Sequence, residues 1–514
     1  MPPALRTPPE PRRAAGSHDR DPAARRWRVL HRLRQRSPFA FRFEPPASWL
    51  DLSFPWTAAA LGSFSPANQP PLSRHNYRRE MLSATFLPFA QAAVEGGTLG
   101  VIARKAFAGA VDTTLLNFFV AAIVAAPAFA NITSFVWVRL THGRDKVRSI
   151  NALQVSFIAC VALIALTPIS FAGLVMLTAL AILARMCLAG VTTLRSTLWG
   201  ANYPRRARAQ VTGRLTTVQT LVVAAVGTAL GAAMEWNPEA FRGAFPVAAL
   251  LGLLGVRSFA RIRHRRRSIA LRAERQTHLR DRPSFNPLAL ARVLIEDRPY
   301  AAFMGCQFVI GIGNMMSWAP FIIMMEERFE HIGYLESIVI AQAIPMLMMP
   351  LFIPFWARLI DKGHIVRFRA VHSWVFVAMS FTALLAGLFE LWPLLYLAAF
   401  VKGVGFAGGS LAWQLGHLDF APEEKAGQYM AVHVTLTGVR GLIAPFLGVG
   451  AYTFFQHHLA SRTYTLATEN GLVTVYDGPG GPLTFALSTL IVSAGALGFI
   501  ALARYMAPRE GAGM

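Results

Sequence analysis

The sequence predicts an all-α integral membrane protein of twelve transmembrane helices, arranged as two pseudo-symmetric six-helix halves. Three observations carry that prediction. Hydrophobic residues make up 54% of the 514 and charged residues 15%, with a mean hydropathy of +0.41, whereas a soluble domain carries about a quarter charged residues. Long apolar runs alternate with short polar connections from Met81 onward. The pattern is also written twice. Trp137–Arg148 (WVRLTHGRDKVR) returns 219 residues later as Trp356–Arg367 (WARLIDKGHIVR), with Trp, Arg, Leu, Val and Arg in register. Tyr77 and Met81 match Tyr300 and Met304, and Pro204 and Gln210 match Pro422 and Gln428.

Crossing the hydrocarbon takes about 20 helical residues. On that criterion the spans fall at 81–104, 113–137, 151–170, 173–195, 210–235, 241–260, 300–325, 334–356, 369–389, 391–412, 428–455 and 483–505. Residues 77–262 form the N-terminal half and 299–508 the C-terminal half. Residues 1–76, with eleven arginines between Arg6 and Arg42, read as a disordered basic tail. Residues 263–298 read as a basic amphipathic linker on the inner membrane surface. Between the last two spans, residues 462–477 alternate around Asn470-Gly471, the signal of a hairpin.

Net charge is +23, from 50 Lys+Arg against 27 Asp+Glu. The basic residues sit between apolar runs, so they point to topology and anionic lipid, not to nucleic acid. Alternate connections carry Arg139, Arg144, Lys146 and Arg148, then Arg205, Arg206, Arg208 and Arg214, then the linker, then Arg358, Lys362, Arg367 and Arg369. The other face carries Glu235, Glu239, Glu326, Glu327, Glu330, Glu336, Glu390, Glu469 and Asp477. Both termini are therefore expected in the cytoplasm, the protein sitting in the cell's plasma (inner) membrane. The weak connection is 419–425, where Asp419, Glu423 and Glu424 face a single Lys425. Cys160, Cys187 and Cys306 lie within apolar runs at no ligand spacing and read as small core hydrophobes.

Two six-span halves, a basic central linker and a repeated basic loop after the second span of each half resemble the major facilitator superfamily, over residues 81–505. The family's loop runs roughly Gly-x3-Asp-Arg-x-Gly-Arg-Arg/Lys. The first copy here keeps Gly143-Arg144-Asp145-Lys146 in altered order, and the second keeps Asp361-Lys362-Gly363 without the following Arg pair. The resemblance implies that this loop latches the cytoplasmic side in the outward-open state, which would make Arg139, Asp145, Arg358 and Asp361 gating residues; the plainer reading is that they only fix topology. Residues 227–233 (GTALGAA) lack the Gly-Pro pair of the family's antiporter motif. Gly441, Pro445 and Gly448 resemble a hinge in the eleventh span.

An ionisable group at mid-bilayer is costly unless paired or hydrated, so each is a functional candidate. Glu95 lies 14 residues after Met81, with Gln91 one turn earlier on the same face. Arg185 and Lys402 sit midway along the fourth and tenth spans, and Arg440 in the eleventh. The resemblance places the site between the halves, lined by spans one, four, seven and ten, the seventh contributing Gln307, Asn314 and Trp318. Three cations against one carboxylate favour a substrate with a carboxylate or phosphate. A structural ion pair of Glu95 with Arg185 or Arg440 is the competing reading. His433 reads as an interfacial residue, and His417 with Asp419 as a local turn contact. Met346, Met348 and Met349, like Met315, Met316, Met324 and Met325, lack His or Cys at ligand spacing and read as packing, so no metal or other cofactor is expected.

The function these features support is a secondary active transporter moving a small solute, with an organic anion favoured, by alternating access. A proton or other ion gradient would drive it; the bilayer is the partner and the protein a monomer. No nucleotide-binding Gly-x4-Gly-Lys-Ser/Thr loop is present. The alternatives are a drug efflux pump of the same fold, a non-transporting sensor or assembly factor, and a polytopic membrane enzyme, for which clustered carboxylates or histidines at one face are lacking.

Overall fold

The computed structural model describes residues 64–276, 287–329, 331–422, 425–468 and 471–510. Among the described residues twelve helical segments are long and apolar enough to cross a bilayer. In order they are Pro71–Ala106, Thr113–Ile132, Lys146–Ile164, Phe171–Asn202, Gln210–Trp236, Phe241–Phe259, Arg298–Arg328, Tyr334–Ile360, Ile365–Phe389, Pro393–Leu415, Gln428–His458 and Leu483–Ala507. With an even number of spans, the linker, the start of the first span and the end of the last share one face, called here the linker face. The opposite face carries the hairpin.

Each half packs the same way. Span one lies against five and six, three against four and six, and two against four; span seven lies against eleven and twelve, nine against ten and twelve, and eight against ten. Between the halves, span two meets eleven and span five meets eight. These two contacts are equivalents under the repeat, so the internal symmetry of the sequence is also the symmetry of the packing. Aromatic side chains fill the half-bundles, with Phe157, Phe241 and Phe245 fully buried in one and Phe303 and Phe499 in the other.

The first helix begins at Pro71, earlier than the boundary expected at residue 76. Proline at the first helical position is pre-set for the turn and lacks the N–H that would go unpaired there. This polar first stretch is held by hydrogen bonds instead of apolar contact, from Ser73 Oγ to the Asn202 carbonyl at 3.1 Å and from Asn76 Nδ2 to the Arg263 carbonyl at 2.9 Å. Hydropathy alone therefore misses it. Residues 1–63 lie outside the described residues.

Among the described residues the linker holds two helices, Arg267–Gln276 and Pro287–Glu296. The first docks on the loop between spans two and three. Glu274 accepts from the Gly143 N–H and from Lys146 Nζ, at 2.7 and 2.8 Å, and Arg267 pairs with Asp145 at 2.6 Å. Beyond the eleventh span, β1 (Arg462–Thr468) and β2 (Gly471–Asp477) pair antiparallel with Thr468 opposite Gly471. The expected hairpin is present, with Gly471 as the first residue of β2 rather than part of the turn.

Candidate functional site

Three spans are interrupted at the centre of the molecule. The first breaks at Val94-Glu95, where Glu95 is extended and caps the second segment, Gly96–Ala106. Two consecutive glycines after it weaken helical continuity. The seventh breaks at Ser317, between Arg298–Met316 and Trp318–Arg328. The eighth contains a π-helical turn, Val339–Ala343. Breaks of this kind release backbone groups that must find other partners, and such irregular backbone is tolerated at membrane depth only inside protein or at a cavity.

The released groups organise the N-terminal side of the site. Arg185 of the fourth span donates Nε to the Val94 carbonyl at 3.0 Å and pairs through Nη2 with Glu95. Gln91 donates to Glu95 at 3.0 Å and itself accepts from Gln219 of the fifth span at 2.7 Å. The result is a chain, Gln219–Gln91–Glu95–Arg185, in which the one cation meets the one carboxylate. Arg185 is buried; Gln91 and Glu95 are half-buried. Of the readings for Glu95, the geometry realises the ion pair with Arg185.

Gln342, in the π turn, reaches the broken first span from the other half. Its Oε1 accepts from Thr98 N at 3.0 Å, satisfying one of the unpaired N–H groups at the start of the second helical segment. Gly97 allows this approach, since a Cβ there would lie 2.9 Å from Gln342 Cβ and 3.1 Å from the Ala341 carbonyl.

Lys402 stands differently. Its Nζ reaches the Ala341 carbonyl at 3.4 Å, a long contact, and lies 6.0 and 5.6 Å from the ring centres of Trp318 and Phe406. It borders a cavity of about 20 Å³ shared with Ser317, Trp318, Met379 and Phe485, room for about one water. Asn314 is buried and accepts from Trp318 Nε1 at 3.4 Å. Arg440 is apart from all of these. It donates to the Gln307 carbonyl and, at 3.2 Å, to Thr437 Oγ1. Among the described residues no hydrogen bond or ion pair joins it to Glu95.

The charge pattern separates the halves. Buried cations of the N-terminal half have carboxylates, Arg185 with Glu95 and Arg195 with Glu80 at 3.1 Å. Glu80 also accepts from Trp199 and Tyr203 at 2.6 and 2.9 Å. In the C-terminal half every Asp and Glu lies at a span end or in a connection, and among the described residues no ion pair joins Lys402, Arg440 or Arg369 to a carboxylate. Arg369, expected in a connection, is 1% exposed inside the ninth helix. That helix starts at Ile365, where His364 Nδ1 accepts the Val366 N–H at 3.2 Å and Asp419 Oδ2 the Ile365 N–H at 2.7 Å, so Arg369 lies within it. The bond to Ile365 takes Asp419 away from the expected contact with His417. His433, expected at the interface, is fully buried.

Polar contacts between the halves cluster on the hairpin face. Arg104 pairs with Glu327 at 2.8 Å and Lys105 with Glu326 at 2.5 Å, Lys105 also reaches the Ile332 carbonyl, and Glu235 accepts from Leu335 N at 3.2 Å. The molecule is thus fastened on that face. On the linker face Asp145 caps the third span through Val147 N and pairs with Arg267. The side chains of Arg139, Arg358 and Asp361 are solvent-exposed or nearly so and make no hydrogen bond or ion pair among the described residues. Met324 and Met325 are buried and Met346, Met348 and Met349 half-buried.

Sequence reasoning missed Gln219, Gln342, Glu80 and Arg369. The glutamines carry no charge to flag them, and Glu80 and Arg369 fall at the edges of the apolar runs.

The chain is similar over residues 81–445 to the family model described as Major Facilitator Superfamily. Solved structures agree in fold. A D-xylose-proton symporter aligns at TM-score 0.60 and 13% identity, over 83% of this chain and 96% of that one. A mutant of the nucleoside transporter NupG aligns at 0.58 and 14%, over 83% and 100%. A peptide transporter POT in complex with sulfate aligns at 0.57 and 14%, over 84% and 94%. No curated protein matches the sequence.

Proposed function

The chain belongs to the Major Facilitator Superfamily and is a membrane transporter, not an enzyme; from that premise we propose that it is a secondary active carrier of a small organic anion. The observation that carries the anion is the unbalanced charge of the C-terminal half, where Lys402, on a span that borders the centre, meets no carboxylate among the described residues. Leaving such a charge unpaired in low dielectric is expensive, and a substrate carboxylate or phosphate relieves it. The structural neighbours carry a sugar, a nucleoside and peptides, so the fold does not choose the substrate.

In this reading Glu95, Gln91, Arg185, Asn314 and Lys402 form the substrate and coupling set, with Gln219 and Gln342 added. The anion competes with Glu95 for Arg185. Once displaced, Glu95 is a free carboxylate that can take a proton, which would tie solute movement to a proton gradient. The linker face is cytoplasmic, on the strength of its Lys and Arg, and both termini lie there. On that orientation the fastened hairpin face is the outer one, which supports reading this as an inward-facing state of a protein that acts as a monomer. Arg139, Arg358 and Asp361, unengaged here, would latch the linker face when the hairpin face opens, together with Asp145. Arg440 contributes to the positive field from deeper in its half.

The test is a thermal-shift screen of the purified protein against anionic, neutral and cationic metabolites, repeated with Lys402→Gln, followed by vesicle uptake of the hits. Anionic ligands that stabilise the wild type and lose their effect in Lys402→Gln support the proposal. Cationic or neutral ligands that stabilise both proteins equally would replace it with drug efflux.

A further inference from the structure

Lys402 and the cavity beside it differ from their counterparts in the other half, and packing fixes the register of that comparison. A Cβ at Gly190 would lie 2.9 Å from Trp137 Cγ and 2.7 Å from Leu153 Cδ1. One at Gly408 would lie 3.0 Å from Trp356 Cγ and 2.5 Å from His372 Cδ2. The same contact thus recurs at an offset of 219 for spans two and three and 218 for span four. Tyr77 and Met81, matched to Tyr300 and Met304, set an offset of 223 for span one.

On that register the breaks of spans one and seven coincide. Val94 falls on Ser317 and Glu95 on Trp318, while Arg185 falls on Gly403, next to Lys402. The N-terminal half therefore sets a cation against a carboxylate. The C-terminal half sets Lys402 against an indole, with Nζ 6.0 Å from the Trp318 ring centre. Ile164 and Leu180, both packed into the core of the first half, fall on Ala383 and Ala398. Alanine thus stands twice where the first half has a branched side chain. Both alanines line the cavity of about 20 Å³, together with Ser317, Trp318, Met379 and Lys402.

The walls of this cavity suit an apolar group better than a water, which is held by about two to four polar partners. Ser317 Oγ donates to the Asn314 carbonyl at 2.7 Å and Trp318 Nε1 to Asn314 Oδ1 at 3.4 Å, so neither hydrogen is spare. Lys402 is the one charge on the lining. A cation at the rim of a methyl-sized apolar space matches a solute with a carboxylate at one end and little else.

We infer that this cavity receives the apolar end of the carried anion, and that the solute is a short-chain monocarboxylate. The inference rests on Lys402 being the cation that binds the solute. The carboxylate meets Lys402 Nζ, and the carbons next to it lie along the Trp318 ring and enter between Ala383 and Ala398. Those alanines and Met379 set the length of chain that fits.

The experiment is the melting of the full-length protein in sodium formate, acetate, propionate, hexanoate or sulfate at equal ionic strength. Formate and sulfate have no apolar end, and hexanoate overfills the cavity. Acetate and propionate should stabilise most, each buried CH₂ tightening the apparent dissociation constant about fourfold. Ala383→Val fills the cavity, and should bring acetate and propionate down to the level of formate while formate keeps its effect. Met379→Ala lengthens it, and should move the optimum toward hexanoate; it also serves should Ala383→Val fail to fold. Lys402→Gln should abolish every shift. Shifts without a length optimum, shifts by sulfate alone, or an optimum unmoved in a folded cavity variant overturn the inference and leave Lys402 as an anion site. Equal melting of the wild type in all five salts overturns it too. A length optimum that persists in Lys402→Gln would instead remove the reading on which the inference rests.

Discussion

Arg104 and Glu327 tie the first span to the seventh at 2.8 Å, and Glu327 accepts as well from Gln456 at 2.7 Å and Tyr452 at 3.2 Å. One carboxylate thus gathers three spans at the hairpin face. Charge-assisted bonds in a half-dry setting are the stronger kind, so this group should hold the closed state. In a cysteine-free background carrying Thr98→Cys, adding Glu327→Gln should speed labelling by an impermeant maleimide applied from the hairpin face, by about tenfold if about 1.4 kcal/mol is lost. An unchanged labelling rate would place the closure elsewhere.

Removing one member of the Glu95–Arg185 pair leaves the other buried and uncompensated, which costs about 3–5 kcal/mol. Glu95→Ala should therefore melt well below the wild type. Glu95→Gln with Arg185→Gln should recover most of the loss, because neither charge is then left alone. Non-recovery in the double variant would mean that Arg185's bond to the Val94 carbonyl, not the ion pair, holds the broken helix.

Lys402 makes the opposite case. No carboxylate depends on it, so Lys402→Gln should leave the melting temperature in ligand-free buffer within about 1 kcal/mol of wild type, or raise it. Anion-dependent stabilisation by the transported ligand should disappear. A strongly destabilised Lys402→Gln would assign Lys402 a structural role through the Ala341 carbonyl.

The linker clasp should respond to pH. Burial alone would raise the Glu274 carboxyl, but hydrogen bonds from Lys146 and from the Gly143 N–H, with the Lys146 and His142 charges, outweigh it and hold its pKa below the usual 4.5. A folded-state pKa below the unfolded one contributes stability at pH above the unfolded value, lost as pH falls through the folded one. Glu274→Gln should thus melt below wild type at neutral pH, by about 1 kcal/mol or less for so exposed a pair. The two curves should converge on acidification. A gap that persists in acid would show that the loss is steric.

Much of the architecture was legible because hydropathy reports burial over whole spans. All twelve spans follow from it, while the repeat came from matched residues at a fixed offset and the hairpin from alternation around Asn470-Gly471. Edges were less legible, since a helix's first turns can be fixed by hydrogen bonds. Arg369 was read with the connection before its span, and Glu80 lies just ahead of the first expected span, yet both are within 1% of complete burial. At the site, Glu95 and Arg185 were visible as charges in apolar runs, and their pairing was one of two readings. Gln342 was not visible, because its role depends on a π turn and on a glycine in another half of the chain. Arg440 was visible as a charge in the eleventh span, but not its bonds to the Gln307 carbonyl and Thr437, since span number alone does not say which way a side chain turns.

The contact between spans two and eleven has a further consequence. A Cβ at Gly441 would lie 2.0 Å from Ala128 Cβ, and one at Gly438 2.2 Å from Ile132 Cγ1. Two helices touch here almost backbone to backbone, and no hydrogen bond joins them among the described residues. Such a surface resists separation through dispersion alone and offers little friction to rotation in its own plane. It is a bearing, with the polar clasp at one rim and nothing described to match it at the other.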